Sequence, residues 1–198
     1  MGSHMQQDRS NGYEDNAEVF IRSRNHQIGV STVVQWSRDL APGSAILDLG
    51  CGHGVPISQA LHDEGFQIFG VDASATLIQS FKARFPEASA DCAAVEESDF
   101  FHRTFGAALA WGLLFLMAPD QQRAMITKVA RALAPDGRFL FTAPEQAVTW
   151  EDSLTGRLSI SLGADGYSQA LHDAGLILSS EAFDEGDNHY YFALKPAR

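Results

Sequence analysis

Between residues 48 and 54 the chain reads Asp48-Leu49-Gly50-Cys51-Gly52-His53-Gly54. Glycines at alternate positions let the backbone turn tightly and lie against a bound molecule, where a β-carbon would intervene. The loop follows the apolar run Ala45-Ile46-Leu47-Asp48-Leu49 and precedes a segment of helical period. The free N–H groups of a starting helix therefore face the same space. Ligands of open α/β sheets sit there, outside the carboxyl ends of the strands. Eighteen residues beyond Gly54, Asp72 closes a second apolar run, Gln67 to Val71. A carboxylate so placed accepts hydrogen bonds from both hydroxyls of a ribose. Glycine loop and strand-end acid together specify a nucleoside-containing ligand. The dinucleotide fingerprint wants a glycine three residues after the second one. That position is Val55, with Gly54 one residue early, and the spacing speaks against a nicotinamide cofactor.

The elements that must hold these residues alternate between short apolar runs and helical segments, the signature of an α/β domain with a parallel sheet. Residues 14–24 and 28–40 read as two N-terminal helices, broken by Pro42-Gly43. Ile57, Ala60 and Leu61 mark a helix stopped by Gly65, and Ser74 caps a helix carrying Leu77, Ile78, Phe81 and Phe85. A weak strand is expected around Cys92–Val95 and an apolar one over Gly106–Ala110. Pro119 starts a helix with Met125, Ile126, Val129 and Leu133 on one face; the turn Pro135-Asp136-Gly137 leads to a strand over Arg138–Thr142. Residues 144–162 lack periodicity and read as a loop or lid with some helix. After a last helix around Tyr167–Ala174, Leu176–Phe183 and His189–Leu194 are two strands joined by a polar turn, hence antiparallel. The expected fold is a three-layer α/β sandwich around a mostly parallel seven-stranded sheet ending in an antiparallel hairpin.

Ile46 to Gly54 resembles motif I of the class I S-adenosylmethionine (SAM)-dependent methyltransferases, and Gly70-Val71-Asp72-Ala73-Ser74 resembles that family's second motif. Ala94-Val95-Glu96-Glu97 is similar to its adenine-contact segment. Phe105 to Leu114 resembles its fourth strand and following loop, and Leu133 to Leu140 the entry to its fifth strand. The resemblance implies a SAM cofactor, with S-adenosylhomocysteine as product. It also implies that Asp48 orients the glycine loop or reaches the methionine amino group. Gly50, Cys51 and Gly52 would line the methionine, Asp72 the ribose, and Ala73 with Val95 and Glu96 the adenine. The Ala110 carbonyl would accept from the methionine ammonium, with Trp111 beside it. The chain departs from the family at Gly106, where an aspartate is common, and in lacking an Asp-Ala pair in the adenine segment.

Transfer of a methyl group from a sulfonium is an in-line displacement that chiefly needs alignment and exclusion of water. A nitrogen or oxygen acceptor can also need a base close to its proton. Candidates for the acceptor site are Tyr13, Phe20, Trp111, Trp150, His189 and Tyr190, with His189 and Tyr13 the catalytic candidates. The segment from Tyr13 resembles the N-terminal helix that covers the cofactor in small-molecule members of the family. Arg22 and Arg24 are read as solvated, the methionine carboxylate being the alternative partner, and His53 as present for its backbone. Competing readings are a nicotinamide-dependent oxidoreductase and a non-catalytic SAM-binding protein on the same fold.

The formal charge of −11 and the lack of a basic stripe exclude a phosphate backbone as the natural partner and favour a small molecule. Hydrophobic content of 45% and charged content of 20% are ordinary for a globular chain. There is no stretch long and apolar enough for a membrane span and no secretory pattern at the start. Cys51 and Cys92 form neither a metal-ligand spacing nor a disulfide framework, so no metal is expected and the expected compartment is the cytoplasm. Residues 1–4 are read as an expression-vector remnant and 5–198 as one domain, monomeric or homodimeric, with helices 14–40 covering the ligand.

Overall fold

The structure, a computed structural model, describes residues 8–197. The segment 1–4, read as a vector remnant, lies outside the described residues. In chain order the elements are α1 (Ala17–Ser23), α2 (Val30–Ser37), β1 (Ala45–Leu49), α3 (Ile57–Asp63), β2 (Gln67–Asp72) and α4 (Ala75–Arg84). They continue with β3 (Ser89–Cys92), β4 (Phe105–Ala110), α5 (Pro119–Ala132), β5 (Leu133–Thr142), β6 (Thr149–Glu151) and β7 (Leu158–Ile160). The last are α6 (Gly163–Asp173), β8 (Ile177–Phe183) and β9 (His189–Leu194).

Seven strands form one sheet in the order β3-β2-β1-β4-β5-β9-β8. The first five are parallel, and β9 pairs antiparallel with both β5 and β8. The reversal of strand order on either side of β1 opens a crevice at its carboxyl end, beside Asp48 and Leu49. β1 is buried on both faces, which is why its sequence is a continuous apolar run broken only by Asp48. One face carries α2, α3 and α4 over Ile46, Leu109, Leu140 and Tyr190; the other carries α5 and α6 over Leu47, Phe139, Phe141 and Tyr191. Phe141 and Tyr191 stack at 4.7 Å across the β5–β9 pair and tie the antiparallel hairpin to the parallel strands. Each such fully buried side chain contributes about 1.5–3 kcal/mol.

Local chemistry sets the helix starts. The Ser74 hydroxyl accepts from the Leu77 amide at 3.1 Å and caps α4, and Pro119 occupies the first turn of α5.

Three expectations need correction. The third strand spans Ser89–Cys92, not Cys92–Val95, because Phe69–Asp72 pairs with Ser89–Cys92 and the chain then turns away. β5 begins at Leu133, ahead of the expected turn: Leu133 pairs with Phe105 before a register shift accommodates Asp136 and Gly137. Residues 144–162 contain no helix but the β6–β7 hairpin, a small separate sheet. Its connection is organised by Asp152, whose Oδ1 accepts from the amides of Leu154 and Thr155 and from the Thr155 hydroxyl at 2.8–3.1 Å. Among the described residues no helix is long and apolar enough to cross a membrane.

Candidate active site

The glycine loop leaves β1 with positive φ at Gly50, Gly52 and Gly54 and borders a cavity of about 400 Å³. The third glycine answers to packing as well as to the cavity: a β-carbon at Gly54 would collide with the rings of Phe85 and Phe81 on and beside α4. At Gly52 a β-carbon would crowd the Phe20 ring at 3.3 Å, narrowing the space between loop and α1.

Asp72 does more than end β2. Its Oδ2 accepts from the Gly52 amide at 2.9 Å and its Oδ1 from the Ser74 amide at 2.8 Å, so one carboxylate holds both the loop and the start of α4. Burial raises its pKa, the two amides oppose that rise, and the Glu14 charge adds to it. Asp48 is buried and accepts from the Ser58 hydroxyl. Burial, with the Asp72 charge, pushes its pKa up to about 7, against the Ser58 hydrogen bond and Arg24.

Of the residues expected at the cofactor, Asp48, Gly50, Cys51, Gly52, Asp72, Ala73, Val95, Glu96 and Trp111 line this one cavity. Ala110 is fully buried at the end of β4 and does not. The Cys51 thiol is buried and held neutral by that burial, as a small packing residue. Val95 and Glu96 are fixed from a distance: Lys128 on α5 donates to their carbonyls at 3.0 and 2.9 Å and to that of Ser98 at 2.5 Å.

Of the residues expected at an acceptor, Tyr13, Phe20, Trp111 and Trp150 line the cavity. Tyr190 stands behind it, its hydroxyl accepting from the Trp111 indole at 2.6 Å and donating to Asp184 at 2.8 Å. His189 faces the other side of β9 because neighbours in a strand alternate. It is 5% exposed, stacked on Phe183 at 4.6 Å and paired through Nε2 with Glu181 at 3.0 Å. Its neighbour Asn188 borders the cavity instead. Tyr13 donates to Asp152 at 3.1 Å; burial first, then the Asp152 charge, push its phenol well above the usual range. At neutral pH it is a donor and not a base. His53 is buried edge-on against Phe20, and burial with nearby Arg84 lowers its pKa to about 4, leaving it neutral.

Arg24 is where the solvated reading fails. Its guanidinium lies 4.3 Å from the Trp111 ring centre and 4.9 Å from that of Phe20, inside the cavity wall. Burial lowers its pKa to about 10, so it remains charged, yet its Nε is buried without a hydrogen-bond partner among the described residues.

An N-terminal strap closes over the cavity. Glu14 accepts from the hydroxyls of Ser74 and Thr76 at the start of α4, while Asp8 pairs with Arg157 of the hairpin at 2.6 Å. Strap and hairpin thus meet above the site through Asp8–Arg157 and Tyr13–Asp152.

Residues 46–137 match the methyltransferase domain family, and the chain has the Rossmann-like fold of solved SAM-dependent methyltransferases. Two curated relatives are similar. An uncharacterized methyltransferase of Synechocystis is 28% identical over 127 residues, 64% of this chain and 57% of that protein. A sarcosine/dimethylglycine N-methyltransferase of Halorhodospira halochloris is 30% identical over 118 residues, 56% of this chain and 41% of that protein. The chain spans about half the length of these relatives. The crystal structure of magnesium protoporphyrin IX methyltransferase from Synechocystis with bound SAM superposes with a TM-score of 0.74. It is 15% identical, and the alignment covers 98% of this chain and all of that one.

Proposed function

We propose that the protein transfers a methyl group from SAM to a small-molecule nitrogen, oxygen or carbon acceptor. The observation that carries this reading is Asp72. Its carboxylate braces the glycine loop at the mouth of a cavity sized for a nucleoside joined to an amino acid. The residues fit that ligand. The ribose hydroxyls find Asp72, and the adenine edge meets the Val95–Glu96 segment braced by Lys128. The partnerless Arg24 Nε fits the methionine carboxylate. Asp48 faces its ammonium, whose charge draws the Asp48 carboxyl below its raised pKa.

When bound, SAM supplies an electrophilic methyl on a sulfonium. The chain's own part is positional. Trp111, fixed by Tyr190, and Phe20 hold the Arg24 guanidinium, while strap and hairpin cover the cavity and exclude water. Alignment of this kind accounts for a large share of the acceleration in group transfer. The −11 charge supports a small-molecule partner over nucleic acid, and we propose a cytoplasmic monomer or homodimer.

Calorimetric titration with SAM and S-adenosylhomocysteine tests the reading. Saturable one-to-one binding, weakened by Asp72→Asn, is expected; no binding of either ligand refutes it.

A further inference from the structure

The end of the cavity under the hairpin differs in character from the end beside the glycine loop. Phe115 and Trp150 meet there with ring centres 5.2 Å apart and ring planes inclined at 49°, giving an angled aromatic wall. Glu151 and Asp152 border the same space. The two arginines that line the cavity are engaged elsewhere. Arg24 is stacked on Trp111 and Phe20, and Arg9 is paired with Glu97. The nearby Arg157 is paired with Asp8. Among the described residues no lysine, arginine or histidine is ion-paired with Glu151 or Asp152.

The two oxygens of Asp152 have separate duties. Oδ1 is committed to the turn through Leu154 and Thr155. Oδ2 accepts one hydrogen bond, from the neutral Tyr13 hydroxyl at the cavity wall, and a carboxylate oxygen has a second lone pair to offer. Tyr13 thereby positions an oxygen with which no cation among the described residues is ion-paired.

We infer that the acceptor is an amine carried on an apolar body, and that Asp152 receives its proton. The inference rests on the methyl-transfer reading and narrows its acceptor. Phe115 and Trp150 take the apolar body, and an ammonium group supplies the charge that the hairpin carboxylates lack. An ammonium nitrogen has no lone pair, so one proton passes to the Asp152 carboxylate. The freed pair then forms the nitrogen–methyl bond as the carbon–sulfur bond breaks, its electrons remaining on sulfur. The product leaves as a methylated ammonium, and Asp152 returns its proton to water.

The test is calorimetry on the full chain saturated with S-adenosylhomocysteine, using three probes that share one ring and chain. They are 2-phenylethylamine, 2-phenylethanol and 3-phenylpropanoate. The amine is expected to bind at least about tenfold more tightly than the alcohol or the acid, as for a charge-assisted contact. Asp152→Asn keeps an oxygen for the turn amides and removes the charge. It is expected to abolish the amine's advantage while affinity for the alcohol and for S-adenosylhomocysteine stays within about twofold. A purely structural role would weaken all three probes alike. No preference for the amine, whether all three bind equally or none binds, overturns the inference, as does a preference that survives Asp152→Asn. Because S-adenosylhomocysteine binding is measured first on the same protein, its failure contradicts the methyl-transfer reading. Its success without an amine preference overturns this inference alone.

Discussion

The Trp111 indole N–H donates to the Tyr190 hydroxyl at 2.6 Å, so the closing antiparallel hairpin fixes a side chain at the cavity wall. Tyr190 passes the constraint on to Asp184, whose other oxygen accepts from the Gly186 and Asn188 amides. Tyr190→Phe leaves the indole N–H and one Asp184 lone pair without their partner. Unfolding in urea should show a loss of about 1–3 kcal/mol. A loss below about 0.5 kcal/mol would mean that water replaces the hydroxyl, and that this chain of bonds does not hold Trp111.

Arg24→Met should separate stability from ligand binding. The guanidinium is desolvated and its Nε is unpartnered, so an apolar side chain of similar length is expected to preserve or raise the melting temperature of the ligand-free protein. Affinity for S-adenosylhomocysteine should fall by roughly 1.5–3 kcal/mol, as for losing a charged hydrogen bond. Unchanged affinity would remove Arg24 from the methionine carboxylate.

How much of this was legible depends on what each residue contacts. The strands β1 and β4 stand out because both faces are buried, and the glycine loop because its residue types are restricted by backbone geometry. The β6–β7 hairpin has strands of only three residues, too short to show a period, and its turn is set by one aspartate. Lys128 acts on backbone carbonyls, which carry no residue-type signal in the segment they belong to. Arg24 lies just past a seven-residue helix whose polar pattern suits solvent as well as a cavity. His189 and Tyr190 adjoin in sequence, but only the two-residue period of β9 decides which of them turns toward the site.

Asp48 gives the ligand-free protein a pH signature. Its carboxyl is harder to ionise in the folded chain, with a pKa near 7, than at its ordinary value of 3.8. It therefore favours folding most below pH 3.8, and that contribution is lost as pH rises toward 7. Asp48→Asn keeps the bond to Ser58 without the ionisation, so its melting temperature relative to wild type should climb between pH 4 and 8. A relative gain of at least about 2–4 °C, equivalent to 1 kcal/mol in a chain of this size, is expected. A pH-independent difference would show that Asp48 titrates normally.

Asp72→Asn should cost about 1.5–3 kcal/mol in affinity for S-adenosylhomocysteine. Its remaining carbonyl oxygen can still brace the loop or the start of α4, so the far-ultraviolet circular dichroism spectrum should not change. Full replacement by alanine removes both braces, so loss of binding in that variant would mix loop disorder with the missing ribose contact.

The most direct test of the central claim is a thermal-unfolding scan with SAM, with S-adenosylhomocysteine and with NADH. A ligand at about 100 times its dissociation constant adds about 2.7 kcal/mol to stability, which raises the midpoint by roughly 5–10 °C in a chain of this length. The account predicts that rise with SAM and with its demethylated product, and none with NADH. A rise with NADH alone would contradict it and assign the glycine loop and Asp72 to a nicotinamide cofactor.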